Sequence, residues 1–179
     1  IAEGVLEDVD GAFAIHIAPN VPAGVVAWKP GPAMASADVI SIQVTGRGGH
    51  ASTPHWATDP VPVACEIVLA LQSMITRTVD AFDPAVLTIG KIRAGTTDNV
   101  IPEQAQLTGT LRAVSETTRA AVQERVRRVA DGIAAAHDCT AEVEVFPGYP
   151  VTVNDREFAA FAARVTDQRS ASAPSSSTS

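Results

Sequence analysis

The chain has 179 residues, 46% of them hydrophobic and 18% charged, a length that suits one good core or one domain with pieces of another. A formal charge of -7 and a pI near 5.0 argue against a nucleic-acid grip, because a phosphate-binding surface needs clustered Lys and Arg. No apolar run approaches the ~20 residues needed to cross a bilayer, and the first residues lack the charged-then-apolar form of a signal peptide.

The one dense basic run, Arg125, Arg127 and Arg128, lies among Glu124 and Asp131 and reads as the solvated face of a helix. The two cysteines, Cys65 and Cys139, make no disulfide framework. Cys65 falls on an apolar helical stripe, where a free thiol behaves as a small hydrophobe. Two buried thiols imply a reducing, cytoplasmic compartment. The chain opens on Ile1 rather than Met and reads as a fragment.

Residues 1–6 read as the end of a short helix, followed by a turn over 8–11. The run Ala12-Phe13-Ala14-Ile15-His16-Ile17 does not alternate, which predicts a strand buried on both faces, as in a parallel sheet flanked by helices. A loop rich in Pro and Gly fills 19–32. The texture changes at Asp38, where Ile40, Ile42 and Val44 alternate with Ser41, Gln43 and Thr45, the pattern of a strand with one wet face. Asp59-Pro60 supplies a helix N-cap with proline at the first turn, and Val61, Ala64, Val68, Leu71 and Ile75 give the apolar stripe. Further strands fit 85–93 and 104–114. A second helix follows with Val122, Val126, Val129 and Ile133 inward and Glu124 paired to Arg128 at i, i+4. A last strand fits 140–146. This β-α-β-β-α-β order predicts an α+β, ferredoxin-like fold: a four-stranded antiparallel sheet with two helices on one face. A new helical pattern begins within 151–165 around Phe158, Phe161 and Val165. From Ser170 the sequence collapses to Ser, Ala, Thr and one Pro, and the tail over 166–179 is expected to be disordered.

Four positions stand out chemically. His16 ends the buried strand, where neutral imidazole can ligate zinc, although a hydrogen-bonded core histidine is the better reading of one isolated residue. Gly46-Arg47-Gly48-Gly49-His50 follows an alternating strand, its glycines permitting a tight backbone with positive φ, and throws His50 beyond the sheet. A phosphate loop would lead into Lys-Ser or Lys-Thr, so on chemistry alone a glycine turn with an exposed histidine is slightly favoured. His55 reads as structural. The loop over 95–102 is longer than a hairpin needs, and with Asn99 and the polar-face Arg112 it suits either a carboxylate clamp or an ordinary loop with a surface arginine.

The stretches FAIHIAP, GPAMAS, GRGGHASTPH, DPAVLTIGKIRAGTTDNVIPE and LTGTLR, in that order across residues 12–114, resemble the aminoacylase, hippurate hydrolase and carboxypeptidase G family of zinc metallopeptidases, most closely its N-acyl-amino-acid amidohydrolase branch. The resemblance implies a lid that mediates homodimerisation (37–148), inserted between pieces of an α/β catalytic domain (1–36 and 149–165). It implies that His16 matches a metal ligand, that His50 polarises the scissile carbonyl in the partner's site, and that Asn99 and Arg112 hold the substrate carboxylate. The implied cofactor is zinc or another divalent metal (manganese, cobalt or nickel), not held tightly by one matched ligand. The implied substrate is a small N-acyl amino acid or peptide, with no nucleic acid or membrane as partner. The family's other metal ligands and its Glu-Glu pair have no match here, so this stretch alone is expected to be inactive. The competing reading is a non-catalytic ferredoxin-like module that binds a ligand or protein partner; the sequence 1–36, which such a module would not need, favours the enzyme.

Overall fold

The computed structural model describes Gly4 and residues 7–172. Most of the expected short helix end over 1–6, and the last seven residues of the expected tail, lie outside the described residues. The chain divides into two compact units, Met34–Thr152 and a second formed by Ile1–Ala33 with Val153–Ser179.

The larger unit holds strands β2 (Asp38–Thr45), β4 (Ala85–Ala94), β6 (Gln104–Ala113) and β7 (Thr140–Pro147), with helices α1 (Pro60–Thr78) and α2 (Glu116–Ala136). Two short strands, β3 (Gly49–His50) and β5 (Val100–Ile101), pair with each other. The remaining unit carries β1 (Gly31–Met34), β8 (Thr152–Asn154) and α3 (Arg156–Ser172), with β1 joined to β8.

The main sheet runs β4-β6-β2-β7 and is antiparallel throughout, the ferredoxin-like order expected from the sequence. Alternation decides the faces. Ile40, Ile42 and Val44 of β2, Leu87 of β4, and Leu107 and Leu111 of β6 point to the helices and are buried. Val63, Ile67 and Leu71 of α1 and Val122 and Val126 of α2 close over them. Burying a large aliphatic side chain contributes ~1.5–3 kcal/mol, so this layer dominates the unit's stability.

The buried stripe of α1 is Pro60, Val63, Ala64, Ile67, Leu71 and Met74, rotated slightly from the expected one. Cys65 sits about 100° beyond Ala64 on the helical wheel and is exposed, contrary to expectation; Cys139 alone is buried. By length and composition α1 could cross a membrane, but its apolar side is spent on the sheet. It starts where Asp59 accepts Val61 N–H at 2.9 Å, with Pro60 having no N–H to satisfy. On α2, Glu124 and Arg128 form no ion pair. Arg125 is also more than a solvated charge, since it donates to the Thr78 carbonyl at 2.8 Å and caps the end of α1.

A bulge in β4 between Ile89 and Lys91 was not foreseen. The extra residue, Gly90, restores the parity so that Ile92 faces Leu107, and Lys91 and Arg93 move to the open face.

Residues 12–17 form no strand. Phe13, Ile15 and Ile17 are exposed, at 67, 76 and 85%. A strand needs a ladder partner, and none lies beside this run among the described residues. At the other end, α3 continues to Ser172, seven residues into the segment expected to be disordered. A helix already nucleated gains one hydrogen bond per added residue, so it propagates past its apolar pattern.

Candidate functional site

One end of the sheet is an assembly of loops. After β2, Gly46 donates to the Glu103 carbonyl at 2.9 Å, while Arg47 and Thr58 exchange backbone bonds at 2.9 and 2.8 Å. The guanidinium of Arg47 donates from Nε to the Trp56 carbonyl at 3.2 Å. Beyond it β3 pairs with β5, Gly49 opposite Ile101 and His50 opposite Val100, and the Ala51 amide donates to the Asn99 carbonyl at 3.1 Å. The histidine loop and the 95–102 loop are thereby stapled together, and His50 and Asn99 become neighbours.

The glycines have a different reason from the one expected. Gly46, Gly48 and Gly49 do not adopt positive φ. A Cβ on Gly46 would sit 2.1 Å from the Thr58 oxygen, and one on Gly48 would sit 2.8 Å from the Ile101 oxygen. Close passage of three backbones, rather than left-handed conformation, demands glycine there.

His50 is exposed, with its ring held at one point. The Ser52 backbone N–H donates to Nδ1 at 3.1 Å. Its carbonyl accepts from the Thr53 amide at 2.9 Å and the Thr53 hydroxyl at 3.3 Å. Asn99 accepts the Thr97 hydroxyl on Oδ1 at 3.0 Å, which leaves its amide NH₂ as a free donor group. A shallow cleft of about 340 Å³ lies beside the pair, lined by Ala51, Asp59, Gly95, Asp98, Val100 and Pro102 among others. His55 stacks edge-on against Trp56, with centroids 5.1 Å apart.

Arg112 is not part of this assembly. It projects from the open face of β6, opposite Val86, eight residues along the strand from Gln104. At ~3.4 Å per residue that separation is roughly 25 Å. One chain therefore joins His50 to Asn99 and holds Arg112 at the opposite end of the sheet.

His16 is exposed rather than at the end of a buried strand, and its Nδ1 contacts the Ile17 carbonyl at 2.7 Å. A carbonyl can only accept, so Nδ1 is the donor in that contact, and in a neutral ring Nε2 then keeps its lone pair. Among the described residues no three of His, Cys, Asp and Glu gather at one point. A metal centre needs three or four ligands, so the described residues do not fit one by themselves.

The sequence reading missed a cluster at the other end of β2. Asp38 shares the parity of Ile40, Ile42 and Val44, and its carboxylate is fully buried. It accepts from Arg119 Nε at 2.8 Å and from Nη2, with Gln123 at 3.1 Å and the Gly148 amide at 3.3 Å. The Arg119 hydrogen bond, against the opposing cost of burial, holds the Asp38 carboxyl below the usual carboxylate range, and the same pairing raises Arg119 further. Glu116 binds Arg119 at 2.9 Å and accepts the Val151 amide at 3.0 Å; those two contacts, the amide first, lower its pKa. The available signal was an aspartate at a core-facing position, which demands a cationic partner.

Comparisons with known proteins bear on the family and the fold. Residues 34–138 match the family model described as the peptidase dimerisation domain. The N-acetylcysteine deacetylase of Bacillus subtilis is 43% identical over 155 residues, covering 87% of this chain and 41% of that protein. Thermostable carboxypeptidase 2 of Saccharolobus solfataricus is 39% identical over 158 residues, covering 88% and 40%. Among solved structures, a dinuclear metal-binding peptidase of the M20 family from Bacillus subtilis superimposes with a TM-score of 0.74 at 36% identity, covering 94% of this chain and 41% of that one. The chain thus spans about two fifths of the length of the relatives it matches. It belongs to the M20 family of metallopeptidases, and residues 34–138 are its peptidase dimerisation domain.

Proposed function

We infer that the chain supplies the lid of a homodimeric, metal-dependent amidohydrolase that cleaves N-acyl amino acids or related small peptides. The observation that carries this reading is the staple between the two loops, which sets His50 beside Asn99 with the His50 Nε2 edge free. In amide hydrolysis negative charge develops on the scissile carbonyl oxygen, and a fixed N–H donor there lowers the barrier by ~2.7–4 kcal/mol. His50 is that donor. Asn99, through its amide NH₂, and Arg112, through a planar guanidinium, hold the substrate carboxylate.

Arg112 lies too far from His50 to meet the same small substrate within one chain. A site using all three groups draws on two chains, which makes dimerisation through 37–148 a condition of activity. Residues 1–36 and 149–165 belong to the catalytic domain in this reading. Its support is the exposed apolar run at Phe13, Ile15 and Ile17, which a further layer would cover. His16, whose Nδ1 is engaged by a backbone carbonyl, suits a single metal ligand from that domain through Nε2 of the neutral ring. The described residues by themselves do not gather a site for the metal. The two free thiols suit a cytoplasmic setting.

The test is subunit complementation in the complete enzyme, assayed on acetyl- and benzoyl-amino acids. His50→Ala and Arg112→Ala homodimers are each expected to be severely impaired, the first by ~10²–10³ in kcat. Refolded together, half the dimers are mixed and each mixed dimer has one intact composite site, so activity returns to about a quarter of wild type. No recovery means that both groups serve a site from the same chain. Full kcat in His50→Ala removes the histidine from the mechanism.

A further inference from the structure

The hydrogen bond at the His50 ring fixes more than its position. A backbone amide can only donate, so His50 Nδ1, which faces the Ser52 N–H at 3.1 Å, must present a lone pair. A neutral imidazole then carries its proton on Nε2. The amide of Ser52 is itself aimed from several sides. Thr53 closes the turn with two bonds to the His50 carbonyl, at 2.9 and 3.3 Å. The Ala51 amide is tied to the Asn99 carbonyl, and Gly49 and His50 are paired with Ile101 and Val100. Pro54 follows, opening the 3₁₀ turn Pro54–Trp56. His16 has the reverse arrangement, with a carbonyl at Nδ1, so in their neutral forms the two histidines are biased to opposite tautomers by opposite backbone groups.

We propose that the 50–53 turn is a tautomer lock, in which the Ser52 backbone amide, aimed by Thr53 and the 99–101 segment, keeps His50 in the Nε2–H form with its donor turned outward. Ser52 and Thr53 are positioning residues. They act on the imidazole and need not touch substrate. An unrestrained ring exchanges its proton between the two nitrogens and presents a donor at Nε2 only part of the time; the turn removes that exchange. The lock deepens the proposed role of His50 as a carbonyl-polarising donor and rests on that reading for its use, but it can be measured without catalysis.

The experiment is ¹⁵N NMR of the ring nitrogens in the 179-residue chain at a pH where the histidines are neutral, with His50 assigned by loss of its signals in His50→Gln. The expected result is an imine-type Nδ1, a pyrrole-type Nε2 and a through-hydrogen-bond correlation between Nδ1 and the Ser52 amide nitrogen. Ser52→Ala keeps the amide and retains the correlation. Ser52→Pro removes the amide and loses it, with the ring relaxing to averaged shifts. A pyrrole-type Nδ1 or averaged shifts in the wild-type chain overturn the lock, whether or not the proline variant folds. Failure of the functional reading looks different: a locked ring combined with undiminished kcat for His50→Ala in the complete enzyme leaves the lock standing and removes its catalytic purpose.

Discussion

Replacing Arg119 by methionine keeps an apolar stem on α2 and deletes the guanidinium, leaving the Asp38 carboxylate buried with only Gln123 and the Gly148 amide as partners. The side chains of Asp38 and Arg119 are 0 and 11% exposed, which puts the pair well outside the regime of surface ion pairs. Removing one partner of a buried pair costs ~3–5 kcal/mol, because the remaining charge loses its compensation. Two surviving hydrogen bonds place the expected cost near the lower end, about 3 kcal/mol. For a cooperative unit of this size each kcal/mol moves the midpoint by roughly 4 °C, so thermal unfolding followed by circular dichroism should show a fall on the order of 12 °C. The double variant Asp38→Leu with Arg119→Met removes both charges, and most of the loss should return, since an apolar pair of similar volume can replace a buried ion pair. A loss below about 1 kcal/mol in Arg119→Met, the value of an exposed pair, would refute the reasoning. So would a double variant no more stable than the single one.

Three other outcomes are expected. Asp38, Asp83 and Glu116 all titrate below their ordinary values, through Arg119, the Thr118 hydroxyl and the Val151 amide respectively. The unfolded chain therefore binds more protons than the folded one just below about pH 4, and stability is full above that region and lost as pH falls through the depressed folded values; urea midpoints should drop on the acid side, less steeply in Arg119→Met. Burial, with the nearby charges of Asp59 and Asp138, raises the Cys139 thiol, so iodoacetamide followed by mass spectrometry should label exposed Cys65 in the native chain and reach Cys139 only on unfolding; equal rates count against the fold as described. Gly46→Ala forces a Cβ against the Thr58 carbonyl, whose backbone is fixed by two bonds to Arg47, and should cost on the order of 1–3 kcal/mol in urea unfolding. Gly90→Ala meets nothing within 4 Å and is the control; equal losses from both would remove the close-approach explanation.

What could be read from the sequence follows from how local its cause is. The alternation of Ile40, Ile42 and Val44 and the Asp59-Pro60 helix start are written in adjacent residues, and both appear where expected. The bulge at Gly90 is a property of pairing, visible only once β4 is laid against β6. Asp38 and Arg119 are 81 residues apart, so the aspartate gave a demand for a partner and no address for it. Cys65 was misjudged because a helical stripe is continuous and the boundary between its buried and exposed flanks depends on tilt against the sheet. The run 12–17 has the composition of a doubly covered strand, but composition cannot supply the neighbours a ladder needs. The candidate site residues could be named one by one, but their arrangement could not: nothing in the spacing reveals that His50 and Asn99 become neighbours or that a full strand length separates Asn99 from Arg112.

The two ends of β2 are held by different means. At the Asp38 end a buried carboxylate binds side chains from α2, and the exit after β7 is tied in through Gly148 and Val151. At the Thr45 end the loops bearing His50 and Asn99 are held by short backbone ladders and half-exposed turns, with glycines allowing the close approach. Segments with few buried contacts and exposed backbone bonds open at lower free energy than the core. The His50 end is therefore expected to open at lower free energy than the Asp38 end, and Arg112 lies on the strand that pairs with β2 at the latter. Under the proposed function, substitutions near Asp38 should then appear first in melting curves, and side-chain substitutions at His50 and Asn99 first in kcat of the complete enzyme.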